Sequence, residues 1–244
     1  MIKTSILQVI ILTAFLGSSC VHEFSWTGAE EGSGKIIKEK RELAEFSKIV
    51  LKGSANVEIN QGDKFSAELE IDDNLLEFIE FEINETTLII SSKSNISPSV
   101  YNIILTMPHV EALGINGSGD IKCNMLAESD LIRLRINGSG SIELEVKSDK
   151  IKSNINGSGD IKLAGQSLNL NSTINGSGDI NAIGLKTENV NISIRGSGDV
   201  SVYASERLDI EIFGSGDVEY KGNAKVKQTI YGSGSVDYIS KNKK

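Results

Sequence analysis

Aromatic, histidine and cysteine side chains are all scarce in this 244-residue chain, and each shortage removes a class of explanation. Aromatic residues make up 5% of the sequence, so the interior of the fold is expected to be a narrow aliphatic stack. The two cysteines are Cys20 and Cys123. They leave no disulfide framework to invoke, and Cys123 reads as a small buried hydrophobe. The two histidines, His22 and His109, lack a cysteine or serine nucleophile context, and His109 is expected to be a satisfied structural side chain. No long stretch of 3.6-residue period occurs in the repetitive part, which leaves helix almost no place. The balance of 25 basic against 33 acidic residues, a net charge of −8, argues against nucleic acid and against a polybasic membrane patch. The one long apolar run, Ile6 to Leu16, is too short to cross a bilayer comfortably.

Glycine is abundant and regularly placed. Seven times the chain writes Ile, a variable residue, Gly-Ser-Gly, Asp or Ser, then Ile or Val, with the glycine pairs opening at Gly117, Gly138, Gly157, Gly176, Gly196, Gly214 and Gly232. Successive spacings of 21, 19, 19, 20, 18 and 18 residues are the signature of a solenoid, in which each unit is buried by its neighbours. Before the bend stand Ile115, Ile136, Ile155, Ile174, Ile194, Ile212 and Ile230; after it stand Ile121, Ile142, Ile161, Ile180, Val200, Val218 and Val236. Alternating β-branched residues bracketed by glycine predict short strands with one buried face. Each repeat therefore reads as strand, tight bend, strand and a looser polar return.

The fold class is all-β, and a parallel β-helix-like solenoid with Gly-Ser-Gly corners is preferred to an antiparallel meander or sandwich. Like residues recurring in one column suit in-register stacking about 4.8 Å apart. Right-handed coiling is expected from the general strand twist and crossover preference. A weaker copy of the phrase runs from Leu51 to Ile59, with Ala55 and Asn56 replacing the second glycine and the aspartate. Strand-like runs at Phe65–Ile71, Phe78–Ile83, Leu88–Ile90 and Tyr101–Met107 predict irregular rungs or a hairpin-rich N-terminal part. The expected division is a signal peptide over 1–19, a tether over 20–34, an N-terminal β region with a cap over 35–112, the regular solenoid over 113–240 and a lysine-rich tail over 241–244. The lysines suit an open β edge that must not stick to another chain.

Lys3, the apolar run and the small residues Gly17-Ser18-Ser19 before Cys20 make a bacterial secretory signal, with Cys20 placed for lipid attachment. The residue three before the cysteine is Gly17, where the usual lipoprotein pattern has leucine; Leu16 sits one further back. The expected location is the bacterial outer membrane, anchored by the lipid and facing the cell surface or the periplasm.

The phrase Gly-Ile-Asn-Gly-Ser-Gly-Asp, complete at Gly114 to Asp120, resembles the head GIN domain of auto-transporter adhesins found widely in Bacteroidetes. The segment Arg41 to Ile49 followed by Gly53-Ser54 is similar to the beginning of that domain, and the resemblance covers residues 35 to 238. It implies a β-helix-like fold and an adhesin role, and carries over no catalytic residues.

Three columns remain as candidates for function. Asp160, Asp179, Asp199 and Asp217 continue a carboxylate column from Asp120 that could in principle hold calcium, although aspartates that accept bonds from turn amides explain it more simply. Nothing distinguishes one acid from its neighbours, as a glycosidic catalyst would require, so an enzyme is not expected and no cofactor is called for. The column of changing residues, Asn116, Asn137, Asn156, Asn175, Arg195, Phe213 and Tyr231, is the candidate binding face, since amides and aromatics suit sugars or proteins. The expected partners are a surface glycan or an envelope protein, with no nucleic acid, membrane contact through the N-terminal lipid alone, and edge-to-edge self-association as a further option. The alternative role is structural, in envelope assembly, and a polysaccharide-acting enzyme ranks below both.

Overall fold

The structure is a computed structural model that describes residues 28–240. Cys20, His22, the signal sequence and the 241–244 tail lie outside the described residues. The chain is 72% strand and 3% helix, and its strands wind into a solenoid of about seven stacked parallel turns.

Alternation of apolar and polar residues, with one face buried, marks most of the strands between residues 48 and 214. The first part contains β1 (Glu30–Glu31), β2 (Ile36–Glu42), β3 (Lys48–Gly53), β4 (Asn56–Gln61) and β5 (Ser66–Asp72). A 3-10 turn over Asp73–Phe78 follows, then β6 (Ile79–Asn84), β7 (Thr87–Ser92), β8 (Ile96–Ser97) and β9 (Tyr101–Met107). The regular part runs through β10 (Ala112–Gly117), β11 (Asp120–Glu128), β12 (Leu131–Gly138), β13 (Ser141–Gly157), β14 (Asp160–Gly176) and β15 (Ile180–Gly196). It ends with β16 (Val200–Gly214), β17 (Val218–Lys221), β18 (Lys225–Gly232) and β19 (Val236–Tyr238).

Each coil has one arm before the Gly-Ser-Gly bend and one after it, and each arm pairs in parallel with the same arm of the next coil. Ile136 stands beside Ile115 and Ile155, and Gly138 beside Gly117 and Gly157. The isoleucines at 115, 136, 155, 174, 194 and 212 are fully buried, and complete burial of each such side chain is worth roughly 1.5–3 kcal/mol. Two serines enter this aliphatic interior together: Ser153 and Ser172 face each other at 2.7 Å, each satisfying the other's buried hydroxyl.

The looser polar return of the sequence reading is corrected by the structure. β13, β14 and β15 each run 17 residues from one bend to the next. The return holds its register throughout between β13 and β14 and shifts locally between later coils, and Ser148, Ser167 and Thr187 fall in one column, the last two buried. His109 also departs from expectation. It is exposed, and its ring forms no hydrogen bond among the described residues.

The coils do not stack in chain order. β3 lies between β7 and β10, and β4 lies between β9 and β11, so the coil of residues 48–61 is clasped on both sides by later segments. Beneath it the pairing turns antiparallel: β5 runs along β9, β2 along β5 and β6 along β7. This antiparallel cap closes the N-terminal end of the stack. At the other end β18 and β19 pair on one side only, with β16 and β17.

Candidate functional site

The bend column shows why its residues recur. Gly138 has φ +139°, in the region that favours glycine, and its carbonyl accepts the Ser158 N–H of the next coil at 2.9 Å. A Cβ on the second glycine of a pair, such as Gly140, would collide with the carbonyl of Gly119 in the coil below. Ala55 occupies this position in the first copy, where no bend lies beneath it, and is fully buried.

The aspartates tie one coil to the next. The Asp179 carboxylate accepts the backbone N–H of Asp199 at 2.8 Å, Asp199 accepts that of Asp217 at 2.8 Å, and Asp217 accepts that of Ser235 at 2.7 Å. Asp160 accepts from Asp179 at 3.2 Å, and Asp120 accepts both the amide and the hydroxyl of Ser141. After Ser141 the next amide, from Asp160, turns to the Gly140 carbonyl at 3.1 Å instead. Among the described residues no group of three or more His, Cys, Asp or Glu side chains is placed to hold a metal ion.

The variable column divides in two. Asn137 donates its amide to Asn116 at 2.6 Å, Asn156 to Asn137 at 2.8 Å and Asn175 to Asn156 at 2.9 Å. This ladder joins each amide to the next by one hydrogen bond and ties neighbouring coils together. Above it the Arg195 guanidinium lies 5.4 Å from the Phe213 ring centre, and Phe213 stacks on Tyr231 at 4.9 Å and 10°. Tyr231 is 59% exposed. The column thus ends near the last coil in an open cation–aromatic platform.

A second concave surface lies at the return corner. Ser129, Ser148, Ser167 and Thr187 make its floor, and the trough encloses about 780 Å³. Its floor hydroxyls are satisfied within the fold: Ser148 and Ser167 meet at 3.3 Å, and Thr187 donates to the Leu185 carbonyl at 3.3 Å. One wall is the register column Glu128, Lys147, Gln166, Lys186 and Tyr203. The other carries Asp130, Asp149, Leu168 and Glu188. Lys147 pairs with Glu128 at 3.1 Å. By contrast, the side chains of Gln166, Lys186, Asp149, Glu188 and Tyr203 form no hydrogen bond or ion pair among the described residues.

Residues 45–224 match the family described as "Putative auto-transporter adhesin, head GIN domain". The chain belongs to this family. Solved structures agree with the assignment. A putative adhesin from Bacteroides fragilis is 24% identical with a TM-score of 0.81, over 86% of this chain and 99% of that one. A protein from Parabacteroides distasonis described as a putative lipid binding protein is 26% identical with a TM-score of 0.75, over 87% and 100%. A putative adhesin from Parabacteroides merdae is 24% identical with a TM-score of 0.71, over 86% and 98%. A comparison with curated proteins finds no match. Among the described residues of this head GIN chain, no helix is long and apolar enough to cross a membrane.

Reading by columns brings the bend residues together as they stand in the sequence, but it passes over the trough. The signal was present. Ser129, Ser148, Ser167 and Thr187 repeat with spacings of 19, 19 and 20 residues, in step with the glycines. Their polar surroundings read as loop, so the column went unread.

Proposed function

We propose that this head GIN protein is exported, held at the outer membrane by lipid on Cys20, and works as a binding protein of the cell envelope. The family's adhesin designation supports the general role. The observation that carries the reading is the change within one column: asparagines that bond to each other give way to the exposed Arg195–Phe213–Tyr231 platform. A cation stacked on Phe213 and a largely exposed Tyr231 ring suit a glycan or a protein surface, and arginine and tyrosine often dominate binding energy at interfaces. The interior is filled by aliphatic columns, so contact is made on the outer faces.

The platform is also well placed for contact. From Cys20 to Gly28 the chain can span at most roughly 30 Å, and the next residues are fixed to the cap. The cap is therefore the end nearest the anchor along the chain, and the platform lies toward the opposite end of the stack.

The test uses cells producing the full chain, its Cys20→Ser form and a Phe213→Ala/Tyr231→Ala form. The expected result is release of the Cys20→Ser protein from the membrane fraction, with cell attachment to immobilised envelope material lost in both variants. Attachment that survives the platform variant would overturn the assignment of the face; retention of the Cys20→Ser protein in membranes would overturn the anchor.

A further inference from the structure

The return-corner trough differs from the bend corner in one chemical respect. At the bend, aspartate and asparagine side chains are bound into ladders between coils. At the trough, the wall side chains of Gln166, Lys186, Asp149, Glu188 and Tyr203 have no such partners among the described residues, although the floor beneath them is satisfied. Polar groups fix a ligand's orientation in a concave site, and here they outnumber the apolar faces, which suits a polar ligand. The apolar faces are Leu168, which is 44% exposed, and the Tyr203 ring.

We infer that this trough binds a linear glycan carrying amino groups, laid along the solenoid axis across successive coils. Three features select that ligand. The first is period. One polar wall group is offered per coil, about every 4.8 Å, close to the advance per sugar of an extended glycan. The five wall positions from Glu128 to Tyr203 cover roughly 19 Å, enough for a short oligosaccharide.

The second feature is backbone. The strands under the trough are paired on both sides, so no free edge is present for an extended peptide to join, as strand addition requires. A peptide strand also repeats its side chains on one face at roughly 6.6 Å, two residues of about 3.3 Å each, out of step with the coils.

The third feature is charge. With Lys147 paired to Glu128, the free carboxylates of Asp130, Asp149 and Glu188 face the single free ammonium of Lys186. An acidic polysaccharide is repelled by this balance, and protonated amino sugars are attracted. Tyr203 closes one end of the wall and offers its ring to a sugar face.

The experiment titrates the soluble form lacking residues 1–20 with a glucosamine oligomer at mildly acidic pH, using calorimetry. Its N-acetylated counterpart, a galacturonate oligomer and an oligolysine of matched charge serve as comparison probes. Saturable binding of the glucosamine oligomer with Kd below about 1 mM is expected. The N-acetylated oligomer should bind more weakly and the galacturonate oligomer not at all. Tyr203→Ala, and separately Asp149→Asn/Glu188→Gln, should each weaken binding about tenfold with an unchanged circular-dichroism melt. Phe213→Ala/Tyr231→Ala should leave this affinity intact, which separates failure here from failure of the platform. Absence of saturable glycan binding, equal affinity for galacturonate, equal affinity for oligolysine, or indifference to the wall variants would each overturn the inference.

Discussion

At the second glycine of each bend, the neighbouring coil leaves room for a hydrogen atom and nothing larger. A Cβ on Gly178 would run into the Gly159 carbonyl, and the methyl of Ile155 lies close by as well. Gly178→Ala is therefore expected to cost about 1–3 kcal/mol, the usual range for overpacking against a backbone that cannot yield. Ala55→Gly tests the same argument in reverse. No bend lies beneath Ala55, so this change meets no collision: it loses about 0.5–1 kcal/mol through added chain freedom and about 0.8 kcal/mol through the buried methyl, and should fall below the cost of Gly178→Ala. Urea midpoints of the two variants check the pair. Equal destabilisation would mean that stacking between bends is not what selects glycine. The single alanine in this column, already visible in the sequence, thus marks a coil with no bend below it.

Among the elements, the cap carries a different kind of constraint. Asp72 is fully buried at the end of β5, and its carboxylate accepts the Gly34 and Ser99 backbone amides at 2.7 Å each. It pins the segment leading into β2 and the loop before β9. Burial pushes its pKa up, but the amides of Ser99 and Gly34 outweigh burial, so the carboxyl titrates below its ordinary value. A carboxyl depressed by folding stabilises the fold above the unfolded carboxylate pKa of about 3.9, and that stabilisation is lost as pH falls through the lower folded value. Asp72→Asn should accordingly lower the melting temperature at neutral pH and flatten its fall on acidification. An unchanged acid limb would show that the latch does not contribute. The regular elements were legible from the alternation around Ile136, Ile155 and Ile174, since a period of two on each side of a glycine bend admits few arrangements. The threading of the cap was not legible. Placing β3 between β7 and β10 depends on pairings between segments far apart in the chain, and Leu88–Ile90 carries no mark of which neighbour it will meet. The column and its change from asparagine to Arg195, Phe213 and Tyr231 were legible in the sequence, but the ladder was not, because it becomes visible only once amides are seen to bond across coils.

At the scale of the whole molecule, the solenoid is a spacer with unlike ends. The antiparallel cap closes the N-terminal end, and the last two coils are joined by the aromatic pairs Phe213–Tyr231 and Tyr220–Tyr238. Each coil rests on its neighbours, so the length of the stack sets how far the platform stands from the cap. The central claim is that recognition belongs to the platform, while the asparagine ladder below it serves the fold. The most direct measurement compares two triple variants of the mature chain, Arg195→Ala/Phe213→Ala/Tyr231→Ala and Asn137→Ala/Asn156→Ala/Asn175→Ala, for binding to immobilised envelope fragments, alongside their melting temperatures. The first variant is expected to lose binding by about tenfold or more and to melt close to the unaltered chain, whereas the second keeps its binding and melts lower. Binding lost in the asparagine variant and kept in the platform variant would contradict that claim.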